Sequence, residues 1–233
     1  MKEFSNRYIF VFSAVMVVAV ATLLSLAATL LQPRQLKNLE IEKKKSMLES
    51  IGIASTQETT ESLYDKYITE SFVLNSKGEK VEGVIAFDVA LNIELKKPLD
   101  QQYLPVFRAT PDDGEQVIII PVEGKGLWGP VWGYVSLRSD MNTIYGVTFD
   151  HKGETPGLGA EINTTPFESM FNGKMLFESE KFVSVGVLKG GAKDDDPHNV
   201  DAISGGTITS KGLEKMLSDC LIKYSDYLLK NRK

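Results

Sequence analysis

The stretch from Tyr8 to Leu31, "YIFVFSAVMVVAVATLLSLAATLL", runs for 24 residues without a single charge. About 20 apolar residues are enough to cross a bilayer as a helix, whose backbone polar groups then satisfy one another. A secretory leader is the competing reading, and "SLAATL" offers it a weak cleavage site. The apolar part of such a leader is normally only about 7–15 residues long, shorter than this run. A transmembrane anchor is therefore expected over residues 1–34. Pro33 is expected to end its helix, because the residue before a proline is pushed out of helical geometry.

Charge does not decide which side the rest of the chain occupies. Lys2 and Arg7 precede the span; Arg34, Lys37, Lys43, Lys44 and Lys45 follow it. Basic residues alone place the C-terminal side in the cytoplasm, but a large following domain translocates largely regardless of them. The first 34 residues carry +2, from Lys2, Arg7 and Arg34 against Glu3, so the remainder carries −7 of the net −5. An acidic soluble part argues against nucleic acid as a partner, since phosphate binding needs clustered Lys and Arg. Cys220 is the only cysteine, which excludes an internal disulfide and a cysteine metal cluster. Its place on the apolar stripe of the final helix assigns it to packing.

After the anchor, residues 35–70 read as a connecting helical segment. Leu36, Leu39, Met47, Leu48 and Ile51 recur near helical spacing, and Gly52 suits a stop. A second short helix is expected over residues 58–69. Residues 71–233 change period and read as one α+β domain, a twisted antiparallel sheet with flanking helices. "LPVFRA", "EQVIIIPV", "VWGYVSLRSD" and "TIYGVTFDHKG" are strand-like, parted by turn signals such as "TPDDGE" and "SDMN". "VIAFDVALNIEL" fits either a strand or a helix. "TPFESMFNG" predicts a short helix with Thr165 as N-cap, Pro166 at the first position, Glu168 completing a capping box and Gly173 at its end. "EKFVSVGVLKG" is expected to add a last strand. Leu213, Met216, Leu217, Cys220, Leu221, Tyr224 and Leu228 then mark one face of a helix over residues 210–230.

Little of this chain suits acid–base catalysis. With His151 and His198 the only histidines, no Ser–His–Asp set assembles. The loop "KDDDPHNVD" groups Asp194, Asp195, Asp196 and Asp201 as a hard cation would require, but such runs are ordinarily just solvated. Trp128 and Trp132 read either as core aromatics or as residues near a ligand or partner.

Two glycine-rich segments remain. "KGETPGLGAE", residues 152–161, follows a strand, and Gly157 and Gly159 flank Leu158, so the backbone there can approach a flat ligand closely. It matches neither a Walker A loop nor a dinucleotide fingerprint. "DAISGGTITSKG", residues 201–212, sets Gly205 and Gly206 before Thr207, just ahead of the final helix. One reading is a plain helix start, capped by Thr209 or Ser210. The other is an acceptor site, with the Thr207 hydroxyl kept bare near free N–H groups and the helix dipole, which together favour an anion.

The second segment resembles the covalent-flavin acceptor motif of the FMN-binding domain family, Asp-x-x-Ser/Thr-Gly-Ala-Thr. Asp201, Ser204, Gly205 and Thr207 match it, and Gly206 stands where the family usually has alanine. "ETPGLG" (Glu154, Thr155, Gly157, Leu158 and Gly159 among its residues) is similar to the family's other signature loop, which lies near the flavin. The resemblance implies FMN joined to Thr207 as a phosphoester, installed by a flavin transferase that uses FAD. "GKGLWGPVWGY" followed by "GETPGLGAEI" is most similar to the C-subunit branch of the sodium-translocating NADH:quinone oxidoreductases. The G-subunit branch of the Rnf complex shares both motifs. What this implies is an electron-relay subunit, held with other subunits of a membrane oxidoreductase in the bacterial inner membrane and with its soluble part on the periplasmic side. A membrane-anchored binding module without a redox role is the alternative of another class.

Overall fold

The computed structural model describes residues 5–193 and 195–232, so Lys2, Glu3 and Asp194 lie outside the described residues. Two compact units divide the chain, Met1–Lys43 and Lys44–Lys233. The uncharged run lies in helix α1 (Asn6–Glu49), 44 residues long. Among the described residues α1 alone is long and apolar enough to cross a membrane, and none of its apolar window is buried within the chain. Thr22 and Thr29 turn their hydroxyls back on the carbonyls of Val18 and Ser25, at 2.8 and 2.9 Å, so neither needs water.

Pro33 does not end this helix. It removes one backbone bond, to the carbonyl of Thr29, which in a helix interior costs about 3 kcal/mol. Membrane helices tolerate such a loss, and the unbroken turns on both sides carry α1 through it. The first part of the segment expected as a separate connecting helix is therefore the continuation of α1. Gly52, at φ +77°, stops it as expected: the N–H groups of Gly52 and Ile53 donate to the carbonyls of Glu49 and Leu48, each at 2.9 Å.

Helix α2 (Thr60–Tyr67) ends two residues before the expected limit, because Ile68 already opens strand β1 (Ile68–Leu74). The chain turns over residues 75–79 into β2 (Lys80–Val81). "VIAFDVALNIEL" is neither a strand nor one helix: it forms a 3-10 turn at Ala86–Asp88 and the single-turn α3 (Leu91–Glu94). Strands β3 (Leu104–Ala109), β4 (Val117–Lys125), β5 (Pro130–Leu137) and β6 (Ile144–His151) follow as expected. They complete an antiparallel sheet of order β2-β1-β3-β4-β5-β6.

The run "VIII" in β4 makes sense at the centre of this sheet, where both faces are covered. Ile118, Ile120 and Val122 join one core, while Val117 and Ile119 join a second with Met47, Leu48, Ile51 and Tyr67. Alternate residues thus serve opposite faces.

Helix α4 (Thr165–Ser169) is present, but its N-cap is Thr164 rather than Thr165, and no side chain caps it. Glu168 does not complete a capping box, because its Oε1 accepts the Phe149 N–H at 2.7 Å. Nor does Gly173 end α4; at φ +80° it turns the chain so that its N–H reaches the Ile144 carbonyl at 2.9 Å. "EKFVSVGVLKG" does not form one strand. Ser184, at φ +63°, breaks it into β8 (Lys181–Phe182), which pairs with β7 (Phe177–Glu178), and β9 (Gly186–Leu188), which runs parallel to β10 (Asn199–Asp201). The last helix begins early and is broken: α5 (Thr207–Leu221), a 3-10 turn at Ile222–Tyr224, then α6 (Ser225–Asn231). Its expected apolar face is buried throughout, Cys220 included, and burial pushes that thiol up to about 11.

Glu168 gives the fold a pH dependence. Burial pushes its carboxyl up to about 7, opposed by the Phe149 N–H and reinforced by Glu49 and Asp150. The native chain thus holds this proton more tightly than the unfolded chain, where the group titrates near 4.5. Stability contributed by the protonated form is fully present below about 4.5 and is lost as pH rises through about 7. Thermal unfolding across that interval should show the decline, and Glu168→Gln should flatten it. Parallel pH profiles for the two proteins would contradict this assignment.

Candidate functional site

Close packing of α5 on β4 places the start of α5. A Cβ on Gly212 would lie 2.3 Å from the Lys125 carbonyl oxygen, so the helix rests directly on the strand backbone there. Farther along, the Cys220 thiol donates to the Glu123 carbonyl at 3.3 Å. The first turn of α5 therefore sits beside the β4–β5 connection.

That first turn differs from the expectation. Thr207 is its first residue and Gly206 its N-cap, with no side-chain oxygen bonded to it. Ser210 N–H donates to the Gly206 carbonyl at 2.9 Å, which leaves the N–H groups of Thr207, Ile208 and Thr209 without intrahelical acceptors. Neither Thr209 nor Ser210 caps them, because both lie inside the helix and are buried. The Thr209 hydroxyl donates to Glu154 Oε2 at 2.5 Å, and the Ser210 hydroxyl accepts the Ile203 N–H at 3.1 Å.

A cleft of about 230 Å³ opens at this point and joins the two glycine segments, roughly 50 residues apart in sequence. Glu154, Thr155, Leu158 and Gly159 of the first segment line it together with Gly205, Gly206 and Thr207 of the second. Leu127, Ile208 and Thr209 complete the wall and were not among the expected site residues. Leu127 lies within the "GKGLW" motif, so its place was readable. Ile208 carried only a weak signal, an apolar residue on the polar side of the final helix.

Three expected residues lie outside the lining. Gly157 is exposed at φ +73°, and its N–H donates to Glu161 Oε1 at 3.1 Å. Ser204 is exposed, and Asp201 Oδ1 accepts the Ala192 N–H at 2.6 Å, which ties the lead-in to the preceding loop.

The cradle suits a flat, partly apolar ligand bearing an anionic group. Gly159 and Gly206 are buried and bare, and a Cβ on Gly206 would fall 2.9 Å from Ile203 Cγ2, so a larger residue here would have to displace that side chain. Gly205, at φ +74°, lets Leu158 close over it, since a Cβ there would come within 2.5 Å of Leu158 Cδ2. The rim is apolar: Leu127, Leu158 and Ile208 are 43, 42 and 60% exposed. Trp128 is 70% exposed beside them, so it is not a core residue, whereas Trp132 is half-buried.

Of the four hydroxyls in this stretch, Thr209 and Ser210 are engaged and Ser204 stands outside the cleft. Thr207 is half-buried, lines the cleft and, among the described residues, has a hydroxyl with no protein partner. His151 and His198 are held by backbone groups, Nδ1 of the first accepting the Glu154 N–H at 3.2 Å and Nδ1 of the second lying 2.8 Å from the Met175 carbonyl. Among the described residues no group of three His, Cys, Asp or Glu is placed to hold a metal ion.

Residues 126–222 match the FMN-binding domain family. The C-subunit of the Na(+)-translocating NADH-quinone reductase of Haemophilus ducreyi is 32% identical over 203 residues, covering 81% of this chain and 79% of that one. Its counterpart in Vibrio vulnificus is 32% identical over 207 residues, with 82 and 81% covered. The crystal structure of the corresponding C-subunit from Parabacteroides distasonis superposes with a TM-score of 0.79 at 43% identity, covering 85% of this chain and 96% of that one. Shewanella oneidensis NqrC superposes with a TM-score of 0.69 at 26% identity, covering 82 and 98%. On sequence and fold together, the chain belongs to the C-subunit family of the Na(+)-translocating NADH-quinone reductases.

Proposed function

We propose that this chain carries FMN as a phosphoester on Thr207 and relays electrons within a membrane NADH:quinone oxidoreductase coupled to sodium export. One observation supports the reading: both glycine motifs meet in a single cleft, and of the four hydroxyls in the 204–210 stretch only that of Thr207 lines it without a protein partner among the described residues. Thr207 would hold the phosphate, with the free N–H groups of the first turn of α5 directed at the same charge. Gly159, Gly205 and Gly206 leave room for close approach, and Leu127, Leu158 and Ile208 offer apolar edges. Thr155 also lines the cleft. When bound, FMN supplies the redox chemistry. The chain's part is to hold it by a bond that does not dissociate and to fix its surroundings.

A flavin transferase using FAD is the maturation partner in this reading, and the remaining subunits of the complex are the permanent ones. No ionisable side chain of Asp, Glu, Lys, Arg or His interrupts residues 8–31, so the sodium path is assigned to those other subunits. We place the soluble unit on the periplasmic face of the bacterial inner membrane. A periplasm-dependent reporter fused after Lys233 should be active, and activity of a cytoplasm-dependent one instead would reverse the orientation. The cofactor reading itself is tested by ultraviolet fluorescence of the denatured chain in a gel, after co-expression with a flavin transferase. A fluorescent band is expected; a dark one would leave "SGGT" as a helix start and the chain as an anchored module.

A further inference from the structure

The carboxylate of Glu154 sits where three separate segments meet. It is only 4% exposed, yet it lines the cleft. Its Oε1 accepts the Trp128 N–H at 2.8 Å, at the tip of the connection between β4 and β5. Its Oε2 accepts the Thr209 hydroxyl at 2.5 Å, in the first turn of α5. The glycines around it are fitted to this group. A Cβ on Gly126 would lie 2.5 Å from Oε1, and one on Gly159 would lie 2.7 Å from Oε2 and 2.4 Å from Thr209 Oγ1. Both oxygens are thus held by donors from the chain itself, each in a space that only glycine leaves open.

We propose that Glu154 is a positioning residue rather than a flavin contact, clamping the "GLW" turn and the start of α5 so that the Thr207 hydroxyl faces the cleft. The proposal rests on Thr207 as the acceptor. In the attachment step the Thr207 oxygen forms a bond to the FMN phosphorus of FAD while the pyrophosphate P–O bond breaks. AMP leaves with that electron pair, and the hydroxyl proton passes to solvent. Glu154 takes no part in these bond changes. Thr209 is two residues from Thr207 on the same turn, so the Thr209–Glu154 bond fixes the turn on which the acceptor stands. A misplacement of about 1 Å at a reacting atom can cost on the order of a hundred-fold in rate. A buried hydrogen bond to a charged group is a strong enough restraint to prevent it.

The test is the rate at which flavin-free full-length protein, purified in detergent, acquires covalent FMN from FAD and a purified transferase. Glu154→Ala removes both bonds and should lower the maximal rate about ten-fold or more, with little change in the apparent KM for the protein. Glu154→Gln keeps an acceptor for Trp128 and a polar partner for Thr209, and should recover most of the rate. Thr209→Val, isosteric but unable to donate, should slow attachment several-fold by itself and add nothing in the Glu154→Ala background. Should Glu154→Ala fail to fold by its melting curve, the comparison of Thr209→Val with the unmodified chain decides alone. Wild-type rates in Thr209→Val, or additive losses in the double variant, would overturn the clamp. Thr207→Ala runs beside these variants. If it too acquires FMN, the acceptor assignment fails; if it stays blank while the Glu154 and Thr209 variants react at full rate, only the clamp fails.

Discussion

Thr207→Ala should abolish covalent flavin and leave the fold intact. The loss should be complete, because no other hydroxyl of the stretch is both unengaged and inside the cleft. The structural cost should be small. Among the described residues the Thr207 hydroxyl has no protein partner, the residue is half-buried and it stands at the first position of α5. Alanine is also the better helix former, so stability should change by no more than about 1 kcal/mol. Gel fluorescence and a thermal melt on the same preparation read both quantities. A fluorescent Thr207→Ala band would refute the assignment, whereas a dark band from a protein with a lowered melting point would show the variant to be uninformative about attachment and shift the burden to Thr207→Val.

The second large effect concerns where the folded domain begins. A chain starting at Lys44 should fold, and one starting at Gly52 should be severely destabilised. The end of α1 is part of the core of the second unit: Met47, Leu48 and Ile51 are 2, 0 and 1% exposed. Polar groups seal the same contact. The Ser50 hydroxyl donates to the Met47 carbonyl at 2.6 Å and lies 2.8 Å from the Ser136 hydroxyl, while Thr148 donates to the Ser46 carbonyl at 3.0 Å. Losing one such apolar side chain costs about 2–5 kcal/mol, and a whole domain is stable by only about 5–15 kcal/mol. Removing three leaves little margin. Urea unfolding followed by tryptophan fluorescence should show a cooperative transition for the longer chain only. Equal midpoints for both would mean that this helix end is not needed by the domain.

The parts of this fold that were readable from the sequence are those governed by local chemistry. Strands β3 to β6 carry β-branched runs between turn residues, and Gly52 stops α1 through the left-handed geometry that glycine favours. The parts that were not readable depend on distant partners. Pro33 is a different case: it reads locally as a helix end, but the helical turns on both sides carry the chain through the one missing bond. Glu168 has the spacing of a capping box, but a strand edge, Phe149 N–H, claims its carboxylate. The parallel pairing of β9 with β10 spans a loop of ten residues, 189–198, that no local pattern predicts.

The site shows the same division. "ETPGLG" and "SGGT" were legible as motifs, since bare backbone before a hydroxyl is a local property. The role of Thr209 is hidden from the sequence for a related reason. Its sequence position suits a cap, yet a buried carboxylate 55 residues away takes its hydroxyl. Glu154 stood out only as part of a motif, and nothing in the sequence shows that Trp128 and Thr209 converge on it.

The central claim is that the flavin bond forms at Thr207, and mass spectrometry of the peptide spanning Asp201 to Lys211 tests it most directly. After co-expression with a flavin transferase, fragmentation should place one FMN adduct on Thr207 and leave Ser204, Thr209 and Ser210 unmodified. An adduct on any of those three, or an unmodified peptide from protein that the transferase has processed, would contradict it.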